Sequence, residues 1–319
     1  MLLFFVIVSV LLIAFYIYRT AFYSARNKHT KPHDPIRGRQ YQAVSEHLER
    51  ITSIMERYPY EAVSVTSFDG LTLNGRYYHN VDGAPLKILM HGYRSHPYRD
   101  CAGGHGLARK MGFNTLVVDQ RAHGDSEGRT ITCGIKERKD CLSWVHWANR
   151  RFGMQTPIIL SGLSMGAATV LMAADLELPE NVACIMADSP YSSPAAIIEK
   201  VCSDMHYPVS LCRPFIHMAA WLFGGIRLKE SSAAGAVQKT NLPILLIHGE
   251  DDRFVPCDMS HEIAADNNHV QLRTFPDAGH GLAYMTDPRR YERVVLDFLL
   301  TVPAVADFIC KDFVNQYYS

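Results

Sequence analysis

Three residues with the side chains that nucleophilic catalysis needs lie in loops of this chain: Ser164, Asp252 and His280. A serine hydroxyl is a weak nucleophile at neutral pH, so it needs a base, and the base needs a carboxylate to orient it. Ser164 is the centre of Gly162-Leu163-Ser164-Met165-Gly166, between four apolar residues and a run of small residues. A G-x-S-x-G segment between a strand and a helix predicts a sharp turn with the serine exposed at its tip in strained backbone.

The other two residues follow later apolar segments. Asp252 lies after the predicted strand 243–248, and His280, between two glycines, lies after the predicted strand 270–275. Catalytic groups of parallel sheets gather at the C-terminal ends of the strands. The order serine, aspartate, histidine therefore predicts that the three side chains meet at one edge of a sheet.

The elements that would position these residues alternate along the chain. Period-two segments on either side of Asp69-Gly70 predict two antiparallel strands joined by a tight turn. Apolar segments separated by helical ones then predict an α/β fold, with a mostly parallel eight-stranded sheet and helices on both faces. The six further strands are expected at residues 86–92, 114–119, 157–160, 182–187, 243–248 and 270–275.

An apolar, proline-containing insertion at residues 190–236 interrupts this alternation. Such an insertion at the strand ends is what a lid over a substrate pocket requires. We therefore expect a helical lid that determines specificity. The alternative is a set of additional core helices that contact no substrate.

The N-terminal region predicts a membrane anchor at residues 1–19. Residues 2–18 are apolar apart from Ser9, which is at the short end of the length that spans a bilayer. A cleaved signal peptide is the alternative, but the segment lacks a basic start and a small-x-small cleavage site. Basic residues follow the span, which favours a membrane protein with its catalytic domain on the cytoplasmic side.

The rest of the chain divides into three predicted parts. Residues 20–60 are expected to form a juxtamembrane linker and an amphipathic helix at 41–58 that packs against the domain. Residues 61–302 are expected to form the α/β domain. A tail helix is expected at residues 303–319.

Composition argues against several other classes of function. The 319 residues carry 32 basic and 32 acidic side chains without a basic stripe, so we expect no nucleic-acid partner. The eight cysteines form no C-x-x-C pair, which favours free thiols and a reducing compartment, with a Cys202–Cys212 disulfide as the alternative. One cluster of metal-ligating residues consists of His91, His96, Cys101 and His105. Its irregular loop spacing fits no common zinc pattern, so we expect no metal and no cofactor. Composition does not specify an oligomeric state.

Four segments together resemble the α/β-hydrolase superfamily over about residues 61–300. The turn around Ser164 resembles the nucleophile motif of that superfamily. The three other matching segments are His248-Gly249-x-x-Asp252-x-x-Val255-Pro256, Ala278-Gly279-His280-Gly281 and Asp119-x-Arg121-x-His123-Gly124-x-Ser126, the last with Ala122 where glycine is usual. Together with the N-terminal anchor, the hairpin at 67–70 and the segment 188–191, they look most like the membrane-associated Bem46-like branch. That branch is similar to serine aminopeptidases and prolyl-oligopeptidase-type domains.

The resemblance implies roles for individual residues. Ser164 would be the nucleophile, His280 the base and Asp252 the orienting acid, and the backbone N–H groups of Tyr93 and Met165 would form an oxyanion hole. The alternatives for the acid are Asp251, which adjoins Asp252, and Asp188, at the end of an earlier strand. We expect the remaining matching side chains to brace loops, namely Asp119, Arg121, His91 and His123.

These observations predict a membrane-anchored serine hydrolase that cleaves a carboxylic ester through an acyl-enzyme. A carboxylesterase or lipase-like enzyme with an apolar acyl pocket is expected, acting on a small-molecule or lipid-like ester. A serine peptidase or acyl-peptide hydrolase is the first alternative. A non-catalytic binding protein on the same fold is the second.

Overall fold

The computed structural model describes residues 1–25, 31–34 and 38–318. Eight strands form one sheet in the order β1-β2-β4-β3-β5-β6-β7-β8. The strands are β1 (Glu61–Thr66), β2 (Thr72–Tyr78), β3 (Leu86–Met90), β4 (Asn114–Val118), β5 (Ile158–Leu163), β6 (Val182–Asp188), β7 (Ile244–Gly249) and β8 (Val270–Phe275). The pairs β1–β2 and β2–β4 are antiparallel, and the other pairs are parallel. The predicted mostly parallel eight-stranded sheet is therefore confirmed.

Helices cover both faces of this sheet. The helices are α1 (Leu2–Ala21), α2 (Arg39–Gln42), α3 (Ser45–Arg57), α4 (Pro97–Lys110), α5 (Glu137–Phe152), α6 (Met165–Ala173), α7 (Pro194–Asp204), α8 (Val209–Leu222), α9 (Ala233–Val237), α10 (Asp258–Ala264), α11 (Ala283–Thr286), α12 (Pro288–Leu300), α13 (Pro303–Ala306) and α14 (Lys311–Tyr318). Alternate residues of β5 point to opposite faces. Ile158 and Leu160 pack into one apolar cluster with α5 and α6, whereas Ile159 packs into another with α12.

The N-terminal region is built into the domain at the end of α1. Helix α1 has a mean hydropathy of 2.4 over 18 residues and is long and apolar enough to cross a membrane. Phe22 directly after it is fully buried, and Tyr23 forms a β-bridge with Thr130. Residues 20–25 are therefore not the free linker that the sequence predicts, because Phe22 joins the core. Residues 26–30 and 35–37 of that predicted linker lie outside the described residues.

The predicted amphipathic helix at 41–58 is divided into α2 and α3. The two helices are separated by Ala43 and Val44. Helix α3 packs against α4 as expected, with Met55 almost fully buried and Ile51 beside it. Of the four residues in the predicted His/Cys cluster, Cys101 and His105 lie on α4 rather than in a loop. All eight cysteines are free thiols, and Cys202 and Cys212 do not form a disulfide.

The C-terminal tail forms two short helices, α13 and α14, rather than the single predicted helix. Pro303 begins the first helix, and residues 307–310 separate the two. The tail belongs to the domain, because Val305 and Phe313 are buried. The Tyr317 hydroxyl also donates a 2.6 Å hydrogen bond to Glu292 of α12.

Candidate active site

Ser164 lies in a strained turn between β5 and α6. Its φ of 56° and ψ of −117° fall in a region that side chains other than glycine rarely adopt. A Cβ on Gly162 would lie 2.3 Å from the backbone of Gly166, and a Cβ on Gly166 would lie 2.1 Å from the carbonyl oxygen of Met90. Both flanking positions therefore accept only glycine, as predicted. Ser164 itself is 7% exposed and lies in a cavity wall rather than at a solvent-exposed tip.

Two hydrogen bonds join Ser164, His280 and Asp252 in series. The Oγ of Ser164 is 2.9 Å from Nε2 of His280, and Nδ1 of His280 is 2.7 Å from Oδ2 of Asp252. The three loops come from the C-terminal ends of β5, β7 and β8, which lie on the same side of the parallel sheet. The structure thus brings together the three residues that the sequence singles out.

Asp252 is held as a carboxylate by a dense set of donors. Its Oδ1 accepts hydrogen bonds from the backbone N–H groups of Phe254 and Val255 at 2.9 and 2.8 Å. Burial would raise the pKa of Asp252, but hydrogen bonds from His248 and His280 lower the pKa to about 2. The carboxylate is therefore ionised at neutral pH and holds a proton on Nδ1 of His280, which leaves Nε2 free to accept one.

The two alternative acids do not contact His280. Asp251 is exposed to solvent, whereas Asp252 is 5% exposed. Asp188 accepts hydrogen bonds from Tyr291 at 3.2 Å and from Ser189 at 3.0 Å, and burial raises its pKa. The geometry therefore favours Asp252 as the partner of the histidine.

The predicted oxyanion donors lie on either side of Ser164. Met165 is the first residue of α6, where backbone N–H groups have no partner within the helix. Tyr93 follows Gly92, and a Cβ on Gly92 would lie only 3.5 Å from Cβ of Ser164. Within the described residues, neither N–H group donates a hydrogen bond to another protein atom. Their role as oxyanion donors stays a prediction.

Two buried histidines hold the loop that carries Tyr93. His91 accepts a hydrogen bond from the N–H of Gln120 at 3.1 Å on Nε2, and burial lowers its pKa, so it acts as a neutral acceptor. His123 accepts a hydrogen bond from the N–H of Arg94 at 2.9 Å. Both therefore brace the loop, as expected.

The segment after β4 is likewise a structural brace. Arg121 pairs with Asp140 of α5 at 2.6 Å and with Asp69 of the turn between β1 and β2 at 3.0 Å. Asp119 accepts a hydrogen bond from Arg76 of β2 at 2.9 Å. Ala122, which stands where glycine is usual, has a φ of 63°.

A cavity of about 530 Å³ adjoins Ser164 and His280. Its walls come from residues 38–57, here called the N-terminal segment, from α4 and from the region of α11 and α12. None of the residues lining it belongs to the insertion at 190–236, although that insertion is helical as predicted. The expected lid therefore does not form a wall of this cavity, because α8 packs against α1 instead.

The N-terminal segment closes one side of this cavity and was missed by sequence reasoning. Gln40, Tyr41 and Leu48 line it. The Tyr41 hydroxyl donates a 3.0 Å hydrogen bond to the backbone carbonyl of His280. Burial, together with the charges of Asp252 and Asp100, raises the pKa of Tyr41 to about 12, so the hydroxyl stays protonated. The only signal in the sequence was a helical repeat of apolar residues, which predicts packing and not a pocket.

Comparison with known proteins places this geometry in a family. The sequence model of the prolyl oligopeptidase family matches residues 110–304, which is more than half of the chain. The chain belongs to the prolyl oligopeptidase family. Members of this family are hydrolases of the α/β-hydrolase superfamily, so the predicted superfamily is confirmed. Finer placement in the Bem46-like branch stays a prediction.

Individual relatives and structures agree with this placement. The uncharacterized protein YqkD of Bacillus subtilis is 25% identical over 75% of this chain and 78% of its own length. The lysophosphatidylserine lipase ABHD12 of Danio rerio is 26% identical over 59% of this chain, which spans only 51% of that protein. The esterase Pf2001 of Pyrococcus furiosus superposes with a TM-score of 0.62 and 26% identity, over 77% of this chain and 91% of that chain.

Proposed function

We propose that this protein is a membrane-anchored serine hydrolase that cleaves carboxylic esters, with Ser164, His280 and Asp252 as a catalytic triad. The observation that carries the proposal is the hydrogen-bonded series from Oγ of Ser164 through His280 to Asp252 in the wall of a cavity. Relatives that are named as an esterase and as a lipase support an ester, either a small molecule or a lipid-like one.

The residues divide the reaction into two steps. The Oγ of Ser164 attacks the carbonyl carbon while Nε2 of His280 accepts its proton, and ionised Asp252 stabilises the resulting imidazolium. The N–H groups of Tyr93 and Met165 donate to the oxyanion, where losing one donor typically costs about 3 kcal/mol. His280 then protonates the leaving group. A water activated by the same histidine finally releases the acyl group and restores Ser164.

The charges in the cavity favour an ester over a peptide with a free amino terminus. An aminopeptidase needs an available carboxylate to bind an ammonium group. Asp100 already accepts hydrogen bonds from Gly92 at 2.8 Å and from Arg99 at 3.3 Å. Asp188 already accepts hydrogen bonds from Tyr291 at 3.2 Å and from Ser189 at 3.0 Å. A serine peptidase or acyl-peptide hydrolase remains the second candidate because the family match is to peptidases.

Retention of α1 as an anchor is supported by contacts at its C-terminal end. The Tyr93 hydroxyl donates a 2.8 Å hydrogen bond to the carbonyl of Ala21, and the guanidinium of Arg94 donates to the carbonyls of Thr20 and Tyr23 at 2.8 and 2.9 Å. Cleavage of α1 as a signal peptide would remove groups that hold the loop of Tyr93. The basic residues after α1 favour a cytoplasmic catalytic domain. Retention of the full chain in carbonate-washed membranes is expected, and its release would refute the anchor.

The triad is tested by labelling with a fluorophosphonate and by a panel of esters and aminoacyl amides. Ser164→Ala should abolish labelling and lower kcat by a factor of about 10³ or more. Ser95→Ala, in the wall of the same cavity, should leave labelling intact. Undiminished turnover by folded Ser164→Ala would refute the assignment. Faster turnover of the amides than of the esters would favour the peptidase.

The choice of acid is tested by two matched substitutions. Asp252→Asn should lower kcat by about 10³ to 10⁴, because the amide no longer fixes the histidine tautomer. Asp188→Asn should lower kcat by no more than about tenfold, since Asp188 makes no hydrogen bond to His280. The reverse ranking would assign the role to Asp188.

A further inference from the structure

Helix α8 carries an apolar face that the protein leaves uncovered. Its face residues recur at the spacing of one helical stripe and are exposed or half-buried: Leu211, Pro214, Phe215, Met218, Trp221 and Leu222. Leu211 is 67% exposed and Trp221 61% exposed. The opposite face of α8, with Ile216 and Ala219, is buried in the domain. Apolar exposure of this extent on one helix marks a contact surface.

The helix that carries this face lies beside α1. Helices α1 and α8 pack against each other, and the ring of Phe223 lies 5.3 Å from that of Phe15 and 5.8 Å from that of Tyr18. Ala14 is fully buried, and residues 2–13 are exposed apart from Val8 and Val10, which are half-buried. Twelve helical residues extend about 18 Å. The hydrocarbon core of a bilayer is about 30 Å thick.

Residues 2–13 are therefore too short to span a bilayer without the following turns. Those turns contain Phe15 and Tyr18, which contact Phe223 directly after α8, and Ala14, which is fully buried. If α1 crosses the membrane, residues 14–18 must also lie within the hydrocarbon core. The bilayer then reaches α8, which packs beside α1. Arg19 and Tyr23, at the end of α1, mark the expected boundary of the bilayer, because basic and aromatic side chains concentrate there. The guanidinium of Arg19 lies 3.6 Å from the ring centre of Tyr23.

We propose that the exposed face of α8 is inserted in the lipid bilayer beside α1, so that the insertion is a second membrane contact. The chemistry of the face suits this environment. Trp221 is of the type that concentrates at the membrane–water interface, as is Tyr207 just before the helix. The charged residue on α8, Arg213, is paired with Glu199 at 2.7 Å. The proposal rests on the membrane anchor of the proposed function but not on its catalytic chemistry.

The location of α8 is tested with the full chain in phosphatidylcholine vesicles whose acyl chains carry bromine, which quenches nearby tryptophan. The difference between wild type and Trp221→Phe isolates the fluorescence of Trp221 from that of Trp144 and Trp147. Brominated lipid should reduce the Trp221 component at least about twofold, since interfacial helices insert roughly 5–10 Å. The fluorescence remaining in Trp221→Phe should change little, because Trp144 is buried in the domain.

A second variant separates this inference from the anchor itself. Phe4→Trp in the Trp221→Phe background places a reporter on the exposed part of α1. Quenching of both reporters supports the proposal. Quenching of Trp at position 4 without quenching of Trp221 overturns it while leaving the anchor in place. Lack of quenching at both positions overturns the anchor as well. Protection of Trp221 from both lipid and aqueous acrylamide also overturns it and indicates a second copy on this face.

Discussion

The segment at residues 38–57 and the insertion at residues 190–236 both place helices outside the sheet, but they face different surroundings. The N-terminal segment turns Tyr41 and Leu48 towards Ser164 and closes one wall of the cavity. The insertion turns one face of α8 to α1 and leaves the other face exposed. Apolar side chains therefore line the cavity in the N-terminal segment. In the insertion, according to our proposal, they contact the lipid bilayer.

The difference comes from where each segment is attached. Helix α3 leads into β1 and packs on α4, and α4 follows the loop that carries Tyr93. The N-terminal segment is thereby brought to the nucleophile. The insertion leaves the sheet after β6 and packs against α1, where Phe223 contacts the rings of Phe15 and Tyr18. The helical segment that lines the cavity thus precedes the matched region of the family, residues 110–304.

The strongest test of this comparison introduces the same large side chain, tryptophan, into the cavity wall and into the exposed face of α8. Leu48→Trp should obstruct the cavity and lower kcat/KM for a long-chain ester by about thirtyfold, equivalent to about 2 kcal/mol. Leu211→Trp should change it less than about twofold with a soluble ester, because Leu211 lies outside the cavity. Steady-state kinetics with short and long acyl esters measures both. Equal losses in the two variants would contradict the assignment of the pocket wall.

A smaller effect is expected from removing one hydroxyl in each segment. Tyr41→Phe deletes the hydrogen bond to the carbonyl of His280, which is worth about 1 kcal/mol, so kcat should fall about fivefold. KM should stay nearly constant, since Tyr41 acts on the position of the histidine. Tyr207→Phe deletes an exposed hydroxyl of the insertion and should leave kcat unchanged. A purely structural role of Tyr41 would lower the melting temperature without a change in kcat of the folded enzyme.

The sequence was informative wherever a local pattern has one physical meaning. Glycine on both sides of Ser164 is enforced by contacts of 2.1 and 2.3 Å, so the motif predicts the turn directly. Loops at the ends of parallel strands meet at one edge, so the approach of Asp252 and His280 also followed. Tyr41 could not be predicted, because periodicity identifies the apolar side of a helix but not what it faces. The insertion was misjudged as a lid for the same reason.

The smallest expected effect concerns an ion pair on the insertion. The hydrogen bond from Arg213 lowers the pKa of Glu199, and both side chains are partly or largely exposed. A carboxylate with a lowered pKa contributes stability above its unfolded pKa, about 4.3, and loses that contribution as the pH falls through its folded pKa. Because the pair is at the surface, Glu199→Gln should lower Tm by no more than about 2 °C at pH 7.

Salt and acid then distinguish this carboxylate from the one in the site. The effect of Glu199→Gln should disappear in about 1 M salt, where screening is strong, and should decline as the pH falls below the unfolded pKa of about 4.3. Asp252→Asn should instead cost about 2 kcal/mol of stability that salt does not remove, since the pKa of buried Asp252 is lowered to about 2. That contribution starts to fall below the unfolded pKa of about 3.9, is about halved near pH 3 and is lost as the pH falls through about 2. Thermal unfolding between pH 3 and 7 measures both variants. A salt-resistant loss for Glu199→Gln would show that this ion pair is buried in the assembled protein, which its exposure in the single chain does not predict.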